Sequence, residues 1–244
     1  MGNFGMPGGG LVPLRSQNNS QGACDMGGLP NYYSGYQPVE SDATRKKFEA
    51  AWGKGLPVKA GMSAMQMMTA AVEGKLRALY ILGEDLVTGT LNSSQVRRGL
   101  QNCDFVVLET VFGSETSRNA DVVLPGVTFA EKTGTFTNTE RHIQMVRQAV
   151  NPQGAAHPDW QIIMELAHRM NAADMSGEYG IWDYKDTTQI MSEIAALTPI
   201  YAGVSHERLG HGDCLQWPVK NVSHAGTPIL SAENFIGGRG RFTA

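Results

Sequence analysis

Cysteine is scarce in this sequence and widely scattered. Cys24, Cys103 and Cys214 are the only three among 244 residues. Zinc sites and iron–sulfur clusters take clustered thiolates, so neither is built from this chain alone. Reduced thiols in the cytoplasm are the simplest reading of an odd, dispersed set. Long apolar runs are lacking as well. Nothing approaches the ~20 residues of a membrane span, and the opening MGNFGMPGGG has no basic region followed by an apolar one, so it does not read as a signal peptide. A myristoylation pattern would want Ser or Thr where Met6 stands. An excess of one charge is also missing. The net charge is −3, with 20 Lys and Arg against 23 Asp and Glu, and the basic residues are dispersed, which leaves no nucleic-acid footprint. Neither G-x-G-x-x-G nor G-x-x-x-x-G-K-[ST] occurs, so no ordinary dinucleotide site or P-loop is written here. There is no internal repeat.

What is present is a globular composition, 41% hydrophobic and 18% charged, in a chain long enough to bury a core. It divides into three parts. Residues 1–60 are rich in Gly, Pro and Asn, as in RSQNNSQG and GGLPNYYSGYQP, and read as a loop-rich, poorly packed segment lying on a cofactor or on neighbouring domains. Residues 61–175 carry the ordered pattern. MSAMQMMTAAVEGK predicts a helix with Met62, Met65, Met68 (or Thr69) and Val72 on one face, as core packing. LRALYILG, DFVVLET and ADVVLP predict strands, the first of a kind buried on both faces in a parallel sheet, and NSSQVRRGL a capped helix start between them. RHIQMVRQAV alternates and predicts a further strand at an edge. HPDWQIIMELAHRMNA predicts a helix with Pro158 in its first turn and Trp160, Ile163, Met164 and Ala167 on one face. Strand–helix–strand at this spacing favours an α/β, Rossmann-like, doubly wound and mostly parallel sheet. Residues 176–244 form an irregular, partly helical extension ending in the tail IGGRGRFTA.

Open parallel sheets bind ligands beyond the carboxyl ends of their strands. Three polar loops leave those ends here: GEDLVTGT, ETVFGSETS and PGVTFAEKTGTFTNTE. Each combines Gly or Thr with carboxylates, which suits a nucleotide: backbone N–H groups for phosphate, carboxylates for sugar hydroxyls or a guanine edge. Gly83, Glu84, Asp85, Glu109 and Thr110 stand at the first two ends, where they and the 131–138 loop would share one crevice. Glu131, Lys132 and Arg141 read as surface ion pairs worth ~0–1 kcal/mol each. His142, His157 and His168 read as structural or exposed.

Four collinear motifs carry a resemblance. RSQNNSQGACDMGGLPNYYSGYQ, ALYILGED, ETVFGSETSRNADVVLP and FAEKTGTFTNTERHIQ together resemble the molybdopterin oxidoreductase family, nearest to the catalytic subunit of molybdenum- or tungsten-dependent formate dehydrogenases. That resemblance implies a bis(molybdopterin guanine dinucleotide) cofactor carrying Mo or W, one guanosine arm of which the α/β domain holds. It implies cofactor-facing roles for Gln17, Asn18, Asn19 and Gln37, and adds Glu115 and Thr116 to the strand-end set. It further implies the remaining domains of the catalytic subunit as partners, with iron–sulfur or NAD-linked electron-transfer subunits beside them. The family's [4Fe–4S] cysteine cluster and its metal-binding Cys or selenocysteine before His are absent. Cys24 precedes Asp and Cys214 precedes Leu, so a middle segment, inactive alone and without catalytic or metal-binding residues, is expected. A non-catalytic scaffold relative, such as the large iron–sulfur subunit of NADH–quinone oxidoreductases, and a small-nucleotide-binding module remain as alternatives.

Overall fold

A computed structural model describes residues 2–90, 92–173, 182–212, 214–232 and 235. The tail IGGRGRFTA lies outside them. The fold is α/β, and its central feature is the parallel sheet of β3 (Ala78–Leu82), β4 (Phe105–Thr110) and β5 (Val122–Pro125) in that spatial order. Register pairs Ile81 with Leu108 and Leu108 with Val123, while Tyr80 pairs with Val107 and Leu82 with Glu109. Alternation therefore puts Ile81, Val106 and Leu108 on one face, and Tyr80, Phe105 and Glu109 on the other.

Two helices cover the first face. Ser63 opens α3 (Ala64–Val72) with a reciprocal capping box to Gln66, and the Asn92 side chain caps α4 (Ser93–Asn102) by accepting from the Gln95 N–H. Val96 and Leu100 of α4 close over Ile81, Val106 and Leu108 to form the core, with Met68 of α3 at its margin. The two helices approach closely at Gly99, where a Cβ would stand 3.3 Å from that of Ala71. The buried side of α3 is thus Met68 and Ala71. Met62 and Met65, expected on that face, are 43% and 72% exposed; the cap at Ser63 leaves Met62 outside the helix. The second sheet face is largely open, except at Glu109. Tyr80, Leu82, Phe105 and Val122 remain between 37% and 49% exposed, so β3 is buried on one face and not on two.

The segments flanking this unit fold together. The expected edge strand is β7 (His142–Val146), the middle of an antiparallel sheet between β6 (Gly134–Thr137) and β8 (Leu215–Gln216), separate from the parallel sheet. A core of Ile143, Met191, Ile200, Tyr201, Leu215, Trp217 and Val219 joins it to α6 (Thr187–Leu197). Residues 2–18 are loops, nearly all of them exposed, and residues 53–60 are mostly exposed as well, whereas residues 19–52 are packed. Helices α1 (Ser20–Asp25) and α2 (Asp42–Trp52) frame a short hairpin, β1 (Tyr32–Tyr33) with β2 (Gln37–Pro38). Phe48 is fully buried and stacks on Tyr33 at 4.5 Å between ring centres. Helix α5 (Asp159–Ala173) begins beside β5, and its Ile163 and Met170 stay exposed.

Candidate cofactor-facing strand ends

The chain leaves β3 through Gly83, whose φ of +66° lies in the left-handed region, with open space above its Cα. Its N–H donates to the Glu109 carbonyl at 2.8 Å, which holds the turn against the end of β4. Glu84 follows, exposed to solvent. Asp85 turns inward. Its Oδ1 accepts the Thr116 hydroxyl at 2.5 Å and the Thr116 N–H at 3.2 Å, and these bonds, led by the hydroxyl, hold its pKa below the ordinary carboxylate value. Thr116 is fully buried, and its oxygen also accepts the Val87 N–H at 3.0 Å. Asp85 and Thr116 are therefore a clasp between two strand-end loops.

Glu109 points to the opposite side of the sheet, as register requires. It is 1% exposed. Its Oε2 accepts the Tyr80 hydroxyl, while Oε1 is buried with no donor. Burial pushes its pKa up to about 7, Asp159 adding to the rise against the opposing Tyr80 bond and Lys132 charge. Of the residues expected to share one crevice (Gly83, Glu84, Asp85, Glu109, Thr110 and the 131–138 loop), Asp85 stands beside Val87 on the Ile81 face and Glu109 on the other, where Lys132 of that loop faces it. Thr110, beyond Glu109, donates its hydroxyl to the Phe112 carbonyl at 3.1 Å. Glu115 lies near the surface, paired with Arg97 at 3.0 Å and Arg118 at 2.6 Å.

The N-terminal candidates scatter. Gln17 and Asn18 are exposed. Asn19 Oδ1 accepts the Thr137 N–H at 2.9 Å and ties α1 to β6. Gln37 donates to the carbonyls of Ser34 at 2.7 Å and Leu197 at 2.9 Å, and accepts from Lys47 at 3.0 Å. The Gln37 amide and the Asn19 carbonyl oxygen are thus used within the protein itself.

The loop after β5 is fastened at each residue expected to form surface ion pairs. Glu131 accepts the Thr128 N–H and hydroxyl, both at 2.9 Å, and the Gln153 N–H at 3.2 Å. Lys132 pairs with Asp159. Arg141 donates to the carbonyls of Trp217, Thr227 and Pro228, joining β7 to the C-terminal segment. His142 instead faces Cys214, with Nδ1 and Sγ 3.1 Å apart. Two polar centres escaped the sequence reading. One is the Tyr80–Glu109–Lys132–Asp159 group, for which the shared face of Tyr80 and Glu109 was the available signal. The other is Asp25, fully buried, which accepts from Tyr201 at 2.6 Å, Gln21 at 2.7 Å and Tyr36 at 2.8 Å.

Two cavities have volumes of about 540 and 530 Å³, and the first adjoins the carboxyl end of β5, beside Thr110. The first runs between Leu124, Pro125 and the Trp160 side of α5, and the second between the loop around Gly8–Val12 and Arg141.

Comparison with known proteins gives a consistent set. The family model described as molybdopterin oxidoreductase matches residues 1–169. The chain is 43% identical over 234 residues to a probable oxidoreductase, YjgC, of Bacillus subtilis, which covers 96% of this chain and 23% of that protein. It is 42% identical over 235 residues to the F420-dependent formate dehydrogenase 1 subunit alpha of Methanococcus maripaludis, covering 96% of this chain and 33% of that one. A further relative is the F420-dependent formate dehydrogenase subunit alpha of Methanocaldococcus jannaschii, 41% identical over 98% of this chain and 34% of that protein. The chain thus spans between about a quarter and a third of the length of these relatives. Among solved structures, acetylene hydratase from Pelobacter acetylenicus shares the fold, with a TM-score of 0.50 over 78% of this chain and 26% of that one at 22% identity.

Proposed function

Because this chain belongs to the molybdopterin oxidoreductase family, we propose that it is part of the catalytic subunit of a formate dehydrogenase-like enzyme. In this reading its strand ends hold one guanosine arm of a bis(molybdopterin guanine dinucleotide) cofactor carrying Mo or W. The observation that carries the proposal is the end of β3. Gly83 adopts a left-handed turn with open space above it, so a ligand can approach the backbone where a side chain would block it. Beside it the Glu84 carboxylate is exposed and free to accept from a ribose diol or a guanine edge. These features fit a nucleotide arm, and they stand where open parallel sheets bind their ligands.

When bound, the cofactor supplies the two-electron chemistry that takes formate to CO2. The residues of this chain bind and orient it. Gly83 and Glu84 meet the arm, while the Asp85–Thr116 clasp keeps the two loops in place. Exposed Gln17 and Asn18 are proposed as further contacts, whereas Gln37 is held by Ser34, Leu197 and Lys47 and Glu109 lies on the other face of the sheet. The metal ligand, the [4Fe–4S] centre and the formate contacts belong to the rest of the catalytic subunit, whose domains and electron-transfer subunits are the proposed partners in the cytoplasm. No helix among the described residues is long and apolar enough to cross a membrane.

Glu84→Ala in the complete enzyme tests this reading. Loss of a charge-assisted hydrogen bond worth about 1.5–3 kcal/mol lowers metal and cofactor content per subunit at limiting cofactor, with the melting temperature of the cofactor-free protein unchanged. Full loading of Glu84→Ala at limiting cofactor would show that this carboxylate faces only solvent. The 244-residue chain by itself, supplied with cofactor and artificial dyes, is expected to oxidise no formate. Turnover that persists after any full-length enzyme has been removed would overturn the division of labour proposed here.

A further inference from the structure

The group on the open side of the sheet has an unusual proton balance. Glu109 is sealed from water at the end of β4, yet its Oε1 meets no donor. An ionised oxygen in such a place is strongly disfavoured, and buried polar atoms are normally paired. The titratable groups that face it come from three elements: Tyr80 from β3, Lys132 from the loop after β5, and Asp159 from the first turn of α5. The Tyr80 hydroxyl is used by Oε2, and the Lys132 ammonium is used by Asp159. What remains within reach of Glu109 is the Asp159 carboxylate itself. The two acids flank Gly126, where a Cβ would lie 3.6 Å from both Asp159 Oδ1 and Glu109 Cγ. Two carboxylates beside a single lysine repel one another, and only a proton turns such neighbours into hydrogen-bond partners.

We propose that Glu109 is protonated on Oε1 and donates to the Asp159 carboxylate, forming an acid–carboxylate hydrogen bond that fastens the start of α5 to the end of β4. The group is then neutral overall: a carboxylic acid, an aspartate and a lysine. The bond gives the orphaned Oε1 a partner, and it sets the position of the helix that walls the apolar cavity beside Leu124 and Trp160. It needs only β4, α5 and Lys132, so it stands independently of the cofactor reading.

The sign of its pH dependence follows from the raised pKa of Glu109, about 7 in the fold against an ordinary 4.5. The stabilisation is fully present below the ordinary value and is lost as pH rises through about 7. Carbon-13 labelling of glutamate carboxyls in the whole chain reads the proton directly. One glutamate should titrate near neutral pH, and that signal should be missing in Glu109→Gln. A spectrum in which every glutamate is already ionised at pH 6 would overturn the proposal without any variant being needed. Thermal melts give a second measure. The glutamine amide donates to Asp159 at every pH, so Glu109→Gln should melt with a flatter pH profile than the wild type between pH 5 and 8. Asp159→Asn should move the glutamate titration back towards the ordinary range. Parallel melting profiles for wild type and Glu109→Gln would overturn the assignment.

Discussion

Asp85 and Thr116 meet at 2.5 Å across the carboxyl ends of two neighbouring strands, 31 residues apart in the chain. The contact does two jobs, because the same threonine oxygen accepts the Val87 N–H. Thr116→Val keeps the shape but removes both bonds, leaving a buried N–H unpaired. A stability loss of about 2–3 kcal/mol is expected, measured by urea denaturation at pH 7. Asp85 has a depressed pKa, so its contribution is present above the ordinary carboxylate value and lost as pH falls through the depressed one. The difference between wild type and Asp85→Asn should accordingly shrink in acid. A gap that persists unchanged to pH 2 would contradict the clasp.

A second test lies at Asp25. Three donors converge on this fully buried carboxylate, and the Tyr201 hydroxyl also meets that of Thr137 at 2.7 Å. Tyr201→Phe should destabilise the chain by about 1.5–3 kcal/mol, seen as a lower denaturation midpoint with an unchanged slope. A neutral substitution would mean that water replaces the hydroxyl.

Phe48 tests whether the segment before residue 60 is packed. It is fully buried between Tyr33 and Trp52. Phe48→Ala should cost about 3–5 kcal/mol and open residues 19–52 to limited proteolysis. The unmutated chain should resist cleavage there. Rapid cleavage of the wild type throughout that stretch would contradict the packing.

The parallel sheet was legible because its strands are short apolar runs punctuated by caps and turns, and local sequence carries both signals. Helix α2 was not. Its apolar pair, Phe48 and Trp52, sits among charged residues in a Gly- and Pro-free stretch that is flanked on both sides by Gly- and Pro-rich sequence, and the composition of the whole segment argues for loops. The strand-end position of Asp85 and Glu109 could be read from the motifs, but their facing could not. It depends on the register that pairs Leu82 with Glu109, and register is set by tertiary packing. Asp25 was hidden for another reason. Its partner Tyr201 is 176 residues away, beyond any local pattern. The same holds for Gln37, whose carbonyl partner on Leu197 comes from the far end of the chain.

That separation also bears on how the protein is made. Ser34 meets Thr198 across 164 residues, and Trp52 donates to Glu193 across 141, whereas β3, β4 and β5 pair with their immediate neighbours in order. Loop closure grows costlier with length, and local contacts form sooner. During synthesis the sheet can therefore close once Pro125 has left the ribosome. The Phe48 side chain must then wait, uncovered by Leu197, until α6 emerges. For that interval the nascent chain offers a hydrophobic surface that its finished form hides, a natural target for a chaperone. Pulsed hydrogen exchange on stalled nascent chains would show protection at β4 ahead of α2, and the reverse order would refute this sequence of events.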